Sequence, residues 1–155
     1  MSTLVDRLLR LAEDLIDAHP TSSAVKRRAV STAYYAAFHA LARVCADTLL
    51  GEDRRGNDAY EKVYRALDHG PLRNAFKAGP LMTAVALKQI GDLIVPLQNA
   101  RMLADYAPPR VGFYQESEAR DRVAEAREIV ERLENLSEAD RLTLTVQLIF
   151  KDRPR

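Results

Sequence analysis

The sequence predicts an all-α fold, an up-and-down helical bundle of four to five core helices plus a short accessory helix. Three observations carry that prediction. Apolar residues recur every three to four positions through most of the chain. One stretch, RRAVSTAYYAAFHALARVCAD at 27–47, holds so many small residues that neighbours can approach it closely on several sides. Proline, glycine and capping residues punctuate the pattern at short intervals, which calls for brief connections between neighbouring helices.

Each element follows from its residues. Thr3 to Ala18 reads as the first helix, with Leu4, Leu8, Leu11 and Leu15 as its apolar stripe. Pro20 ends it, and Thr21, Ser22 and Ser23 offer N-caps for the second helix, Ser23 to Leu50. Tyr34, Phe38, Leu41, Cys45 and Leu49 share one face of that helix, while Ala33, Ala36, Ala37 and Ala40 keep it thin. It reads as the central packing element. After the polar loop GEDRRGND at 51–58, a third helix is expected from Asp58 to His69, stopped by Gly70 and Pro71. Leu72 to Ala78 reads as a helical turn or irregular link. A fourth helical region spans Leu81 to Tyr106, with a kink or break expected at Gly91 and Pro96 and an end at Pro108 and Pro109. Val111 to Gln115 reads as a loop. The fifth helix, Glu116 to Asn135, turns Val123, Ile129, Val130 and Leu133 to the core. Ser137 with Asp140 resembles a capping box opening a last helix to Phe150, with a short strand through Leu142, Leu144 and Val146 as the alternative. One domain is expected over 1–150, with a frayed tail at 151–155.

At 155 residues, with 47% hydrophobic and 29% charged, the chain can bury one real core. Its net charge of +1 argues against a dedicated duplex-DNA clamp and leaves room for a local basic groove. The single cysteine, Cys45, reads as a small buried hydrophobe and excludes an intrachain disulfide. The start carries acids through its apolar pattern, unlike a secretory signal, and no apolar run is long enough to span a membrane. A cytoplasmic location is the expectation.

The sequence offers little for metal or cofactor chemistry. His19, His39 and His69 lack metal-ligand spacing, no cysteine cluster exists, and the glycines are scattered; neither a metal nor a cofactor is expected. His39 reads as a core histidine held by a hydrogen-bond acceptor. Two arginine-centred patches remain. Arg101 and Asp105 are four apart, on one helical face, followed by Tyr106. An acid near a helix C-terminus opposes the macrodipole, so Asp105 is expected to pair with Arg27, Arg28 or Arg43. The structural role is an ion pair orienting Tyr106; the functional one is a nucleic-acid or nucleotide contact. The second patch is Arg65 with His69, preceded by Tyr60 and Tyr64 and followed by Arg73. At the end of one helix His69 would serve as a cap. Alternatively, Arg65 could bind a phosphodiester while His69 moves a proton in RNA cleavage.

Three segments together, AVSTAYYAAFHALARVCAD at 29–47, VYRALDHG at 63–70 and LQNARMLADY at 97–106 with Pro108, resemble the HEPN superfamily of small prokaryotic helical-bundle proteins over roughly residues 23–135. The resemblance implies a bundle of four or five helices, often a homodimer. Many members are metal-independent ribonucleases, commonly toxins of toxin–antitoxin pairs or defence components, using an Arg followed after four to six residues by a His. Arg101 stands at the family arginine's place, but no histidine follows it. Arg65 and His69 have three residues between them and lie earlier in the chain. The resemblance therefore implies a non-catalytic, RNA- or nucleotide-associated binding or regulatory module, with Arg101, Asp105, Tyr106 and Arg73 as binding residues. Members of that kind are often encoded beside a nucleotidyltransferase, and a nucleotidyltransferase or antitoxin is the partner expected for this chain. The rivals are an endoribonuclease using Arg65 and His69, and a purely structural dimerisation subunit.

Overall fold

A computed structural model describes residues 2–111 and 114–152. Among them the chain is all-α and compatible with a helical bundle, with eight α-helices and one 3-10 turn. They are α1 (Leu4–Ala18), α2 (Ser23–Leu50), the 3-10 turn (Glu52–Arg54), α3 (Asp58–Tyr64), α4 (His69–Phe76), α5 (Gly79–Thr83), α6 (Val85–Tyr106), α7 (Glu116–Glu134) and α8 (Glu138–Ile149). No helix of the described residues is long and apolar enough to cross a membrane. The chain forms two compact units, one from residues 1–39 and 93–131, the other from 40–92 and 132–155.

In the first unit, α1 opens with a reciprocal cap. The Thr3 hydroxyl accepts from the Asp6 N–H at 3.2 Å, and the Asp6 carboxylate accepts from the Thr3 N–H at 2.8 Å. The buried row of α1 is Val5, Leu9, Ala12 and Ile16, not the expected leucine stripe. The apolar arc of this helix is wide, and the core takes its other edge; Leu4 and Leu11 remain 46% and 48% exposed. Two arginines of α7 tie it to α1. Arg127 reaches Glu13 at 2.6 Å, and Arg120 reaches Asp17 at 2.8 Å. Ala119, Val123, Ala126, Ile129 and Val130 of α7 are buried.

Helix α2 has the limits its sequence predicts, with the Ser22 hydroxyl accepting from the Val25 N–H at its start. From Ala29 to Ala46 it is buried on most of its girth, including Ala33, Ala36, Ala37 and Ala40. Tyr34, Leu41 and Cys45 are buried, while Phe38, His39 and Leu49 are half-buried.

The second unit revises the reading of residues 58–84. Helix α3 ends at Tyr64, and His69 begins α4 instead of ending α3. The Asp68 carboxylate accepts from the Gly70 N–H, so Asp68 is an N-cap, and Pro71 falls in the first turn, where its missing N–H costs nothing. The expected link at 72–78 is therefore mostly helix. A further break falls at Ala84, whose extended backbone separates α5 from α6. Helix α6 runs unbroken through both Gly91 and Pro96. Pro96 and Asp92 are both exposed, so water can serve the Asp92 carbonyl that proline leaves without a donor. Gly91 is a packing position, since a Cβ there would lie 2.8 Å from Phe76 Cδ1. Helices α4, α5 and α8 pack on one another. Residues 142–146 are helical, capped by the Ser137 hydroxyl accepting from the Asp140 N–H at 3.1 Å, so the strand alternative fails. Leu144, Thr145 and Leu148 face inward. Asp47 anchors the 51–56 loop. It accepts from Arg55 Nε at 3.0 Å and from the Tyr60 hydroxyl at 2.7 Å. Residues 112–113 of the expected loop and 153–155 of the expected tail lie outside the described residues.

Candidate functional site

The polar focus of the first unit lies where the last turns of α6 meet the first half of α2. Arg101 is its centre. Its side chain is only 12% exposed, and its guanidinium lies 5.2 Å from the Tyr34 ring centroid and 5.9 Å from that of Tyr35. The two rings meet edge to face, 5.5 Å apart, and present a corner of electron-rich faces to the cation. The Tyr34–Tyr35 pair is thus more than packing; it is the seat of Arg101.

Arginine carries five N–H donors. Here the hydrogen-bond and ion-pair contact is to Asp105, at 3.5 Å, the outer limit of a hydrogen bond. Arg101 Nε is buried with no hydrogen-bond partner among the described residues. Stacking, more than pairing, holds this side chain. Burial raises the Tyr34 phenol well above its ordinary pKa, with the nearby Arg101 charge opposing that shift, so its hydroxyl stays protonated. That hydroxyl is hydrogen-bonded to the buried Gln98.

Arg27 performs a task the sequence did not suggest. Its guanidinium donates to the carbonyls of Ala104 at 3.1 Å, Ala107 at 2.8 Å and Pro108 at 3.1 Å. It caps the C-terminus of α6, where carbonyls lack intrahelical partners and the macrodipole favours a cation. A signal existed, because the ADYAPP ending leaves those carbonyls in need of donors. The source of the donor, 77 to 81 residues away, was not legible.

A cleft of about 340 Å³ opens beside this cap, lined by Ala24, Arg27, Arg28, Ser31, Tyr35, Ala104, Asp105 and Tyr106. Tyr106 is 76% exposed, and Arg28 is exposed with no ion-pair partner among the described residues. Arg101 does not line the cleft. It supports two groups that do, stacking on Tyr35 and pairing with Asp105.

The remaining sequence candidates lie in the second unit. Arg65 is the C-cap residue of α3, 80% exposed at its side chain and 3.5 Å from Glu61. His69 is half-buried at the first position of α4, so the expected cation-stabilising place at a helix C-terminus does not apply to it. The two residues stand on different helices and do not form the shared helical face that the spacing suggested. Arg73 is exposed in the last turn of α4. His39 is half-buried, and burial lowers its imidazole pKa from the usual 6.5. Among the described residues no group of three or more His, Cys, Asp or Glu could hold a metal ion.

The chain matches no protein-family model, no curated protein and no solved structure.

Proposed function

We propose that this chain is a HEPN-like binding or regulatory module, associated with RNA or a nucleotide and without catalysis, working as a cytoplasmic homodimer beside a nucleotidyltransferase or antitoxin partner. The observation that carries the binding part is the α2–α6 cleft. It sets an exposed tyrosine, Tyr106, beside the cations of Arg28 and Arg27 and the carboxylate of Asp105. Unstacked bases are held by aromatic faces, phosphates by arginine, and the amino edges of bases by carboxylate acceptors. Arg101 is then a positioning residue, fixing Tyr35 and Asp105 from behind.

The reading predicts that metal-free purified protein leaves RNA intact. Robust cleavage abolished by Arg101→Ala would overturn it. Cleavage removed by His69→Ala, with helical circular dichroism unchanged, would instead favour the metal-independent endoribonuclease of toxin–antitoxin systems, acting through Arg65 and His69. The separate helices of those two residues speak against that rival.

A further inference from the structure

Helix α1 carries more apolar surface than its own core uses. Beside the buried row run Leu4, Leu8, Leu11 and Leu15, spaced four, three and four residues apart. Leu4 is 46% and Leu11 48% exposed, with Leu8 and Leu15 half-buried between them. That alternation of four and three is the a/d repeat of a helix–helix seam, with a mean period of about 3.5 residues.

The flanking charges add a second, independent observation. Arg7 and Asp14 stand one heptad apart on the rim of the leucine row, both exposed. Neither has an ion pair or side-chain hydrogen bond among the described residues. The acids on the opposite flank, Glu13 and Asp17, are paired with α7 arginines at 2.6 and 2.8 Å. One rim of α1 is satisfied within the chain, and the other is not.

We propose that the leucine row is a self-association seam on which α1 packs antiparallel against α1 of a second copy. A two-fold axis between Leu8 and Leu11 sets Leu4 against the partner's Leu15 and Leu8 against the partner's Leu11. The same axis brings Arg7 to the partner's Asp14, and Asp14 to the partner's Arg7. Parallel pairing would turn Arg7 and Asp14 toward the positions of Val5 and Ala12, which are buried in their own core. The charges therefore select both the occupant and the orientation. The seam rests on the homodimer element of the reading above and on nothing in its RNA contact.

Sedimentation equilibrium of the full chain tests it. The wild type is expected to be a concentration-dependent dimer. Leu11→Asp, at a position half-exposed in the single chain, should keep its circular dichroism and sediment as a monomer. Arg7→Asp and Asp14→Arg should each weaken association by about tenfold or more through like-charge contacts, and the double reversal should regain it. A dimer that survives Leu11→Asp overturns the seam and leaves the homodimer reading standing. A wild type that stays monomeric overturns both. A double reversal as weak as its single variants overturns the antiparallel pairing. RNA binding measured on the same samples reports on the cleft alone.

Discussion

Replacing Gly91 with alanine tests whether α6 tolerates its glycine or depends on it. An interior helical glycine costs about 1 kcal/mol relative to alanine, so propensity alone predicts that Gly91→Ala stabilises. The structure predicts the opposite. The new methyl would sit 2.8 Å from Phe76 Cδ1 and 3.2 Å from Phe76 Cβ and Cγ, whereas comfortable carbon contacts lie at about 3.5–4.0 Å. Phe76 is only 3% exposed, and the close atoms include the base of its side chain, so the ring cannot swing clear. Overpacking of this kind costs about 1–3 kcal/mol. After the propensity gain, a net loss of about 1–2 kcal/mol is expected, since the closest approach calls for the upper part of that range. For a chain of this size that lowers Tm by about 2–8 °C. Thermal unfolding followed by circular dichroism measures it. Gly79→Ala is the control, because a Cβ there meets nothing within 4 Å, and it should be neutral or slightly stabilising. Phe76→Ala, which removes the Cγ and Cδ1 atoms that crowd the new methyl, should erase most of the Gly91→Ala penalty. A Gly91→Ala protein as stable as the wild type, with no coupling to position 76, would refute the packing argument.

Arg27→Ala removes three bonds to the end of α6 and should cost about 1–2 kcal/mol, since water replaces part of what is lost. Urea denaturation reads the loss, and faster amide exchange at the end of α6 should accompany it; unchanged exchange there contradicts the capping role. His39 titrates lower in the folded chain than in the unfolded one, because burial disfavours the cation. The unfolded chain binds the proton more readily, so the contribution of this residue is full above about pH 6.5 and falls as pH drops through the lower folded value. His39→Gln should lose less Tm than the wild type between pH 7.5 and 5.5, and an equal loss refutes the assignment. Burial pushes the Cys45 thiol up to about 12, and the residue is fully enclosed. One equivalent of thiol should react with a disulfide reagent after denaturation and almost none before; rapid reaction of the native chain would show that α2 opens at this point.

Much of the fold was legible because local signals agreed with tertiary packing. The caps Ser22 and Ser137, and the alanine girth of α2, needed no knowledge of neighbours. The errors arose where one local signal has two meanings. Gly70 followed by Pro71 closes a helix when it follows the last turn and opens one when it lies in the first; Asp68, bonded to the Gly70 N–H, decides for opening. Gly91 and Pro96 read as breakers, but one fills a packing constraint and the other faces solvent. The break that does occur, at Ala84, carries no sequence marker. In α1 the sequence fixes the width of the apolar arc, and only packing selects the edge that is buried. At the candidate site the four-residue spacing placed Arg101 and Asp105 on one face, but the expected pairing of Asp105 with Arg27, Arg28 or Arg43 does not occur among the described residues. Its ion pair is with Arg101, and Arg27 turns to the α6 carbonyls instead. The tyrosine seat beneath Arg101 and the cap from Arg27 were not readable, since both join α2 to residues near the end of α6.

The central claim is that the α2–α6 cleft binds single-stranded RNA or a nucleotide without cutting it. Fluorescence anisotropy of an end-labelled single-stranded RNA, titrated with the full chain in EDTA, tests it directly. The account predicts saturable binding of intact RNA. Tyr106→Ala should weaken that binding by roughly 5- to 100-fold through lost base stacking. Arg28→Ala should weaken it and lower the salt slope by about 0.7 for one phosphate contact. Saturable binding that neither substitution changes, or no binding by the wild type to this RNA and to free nucleotides alike, would contradict it.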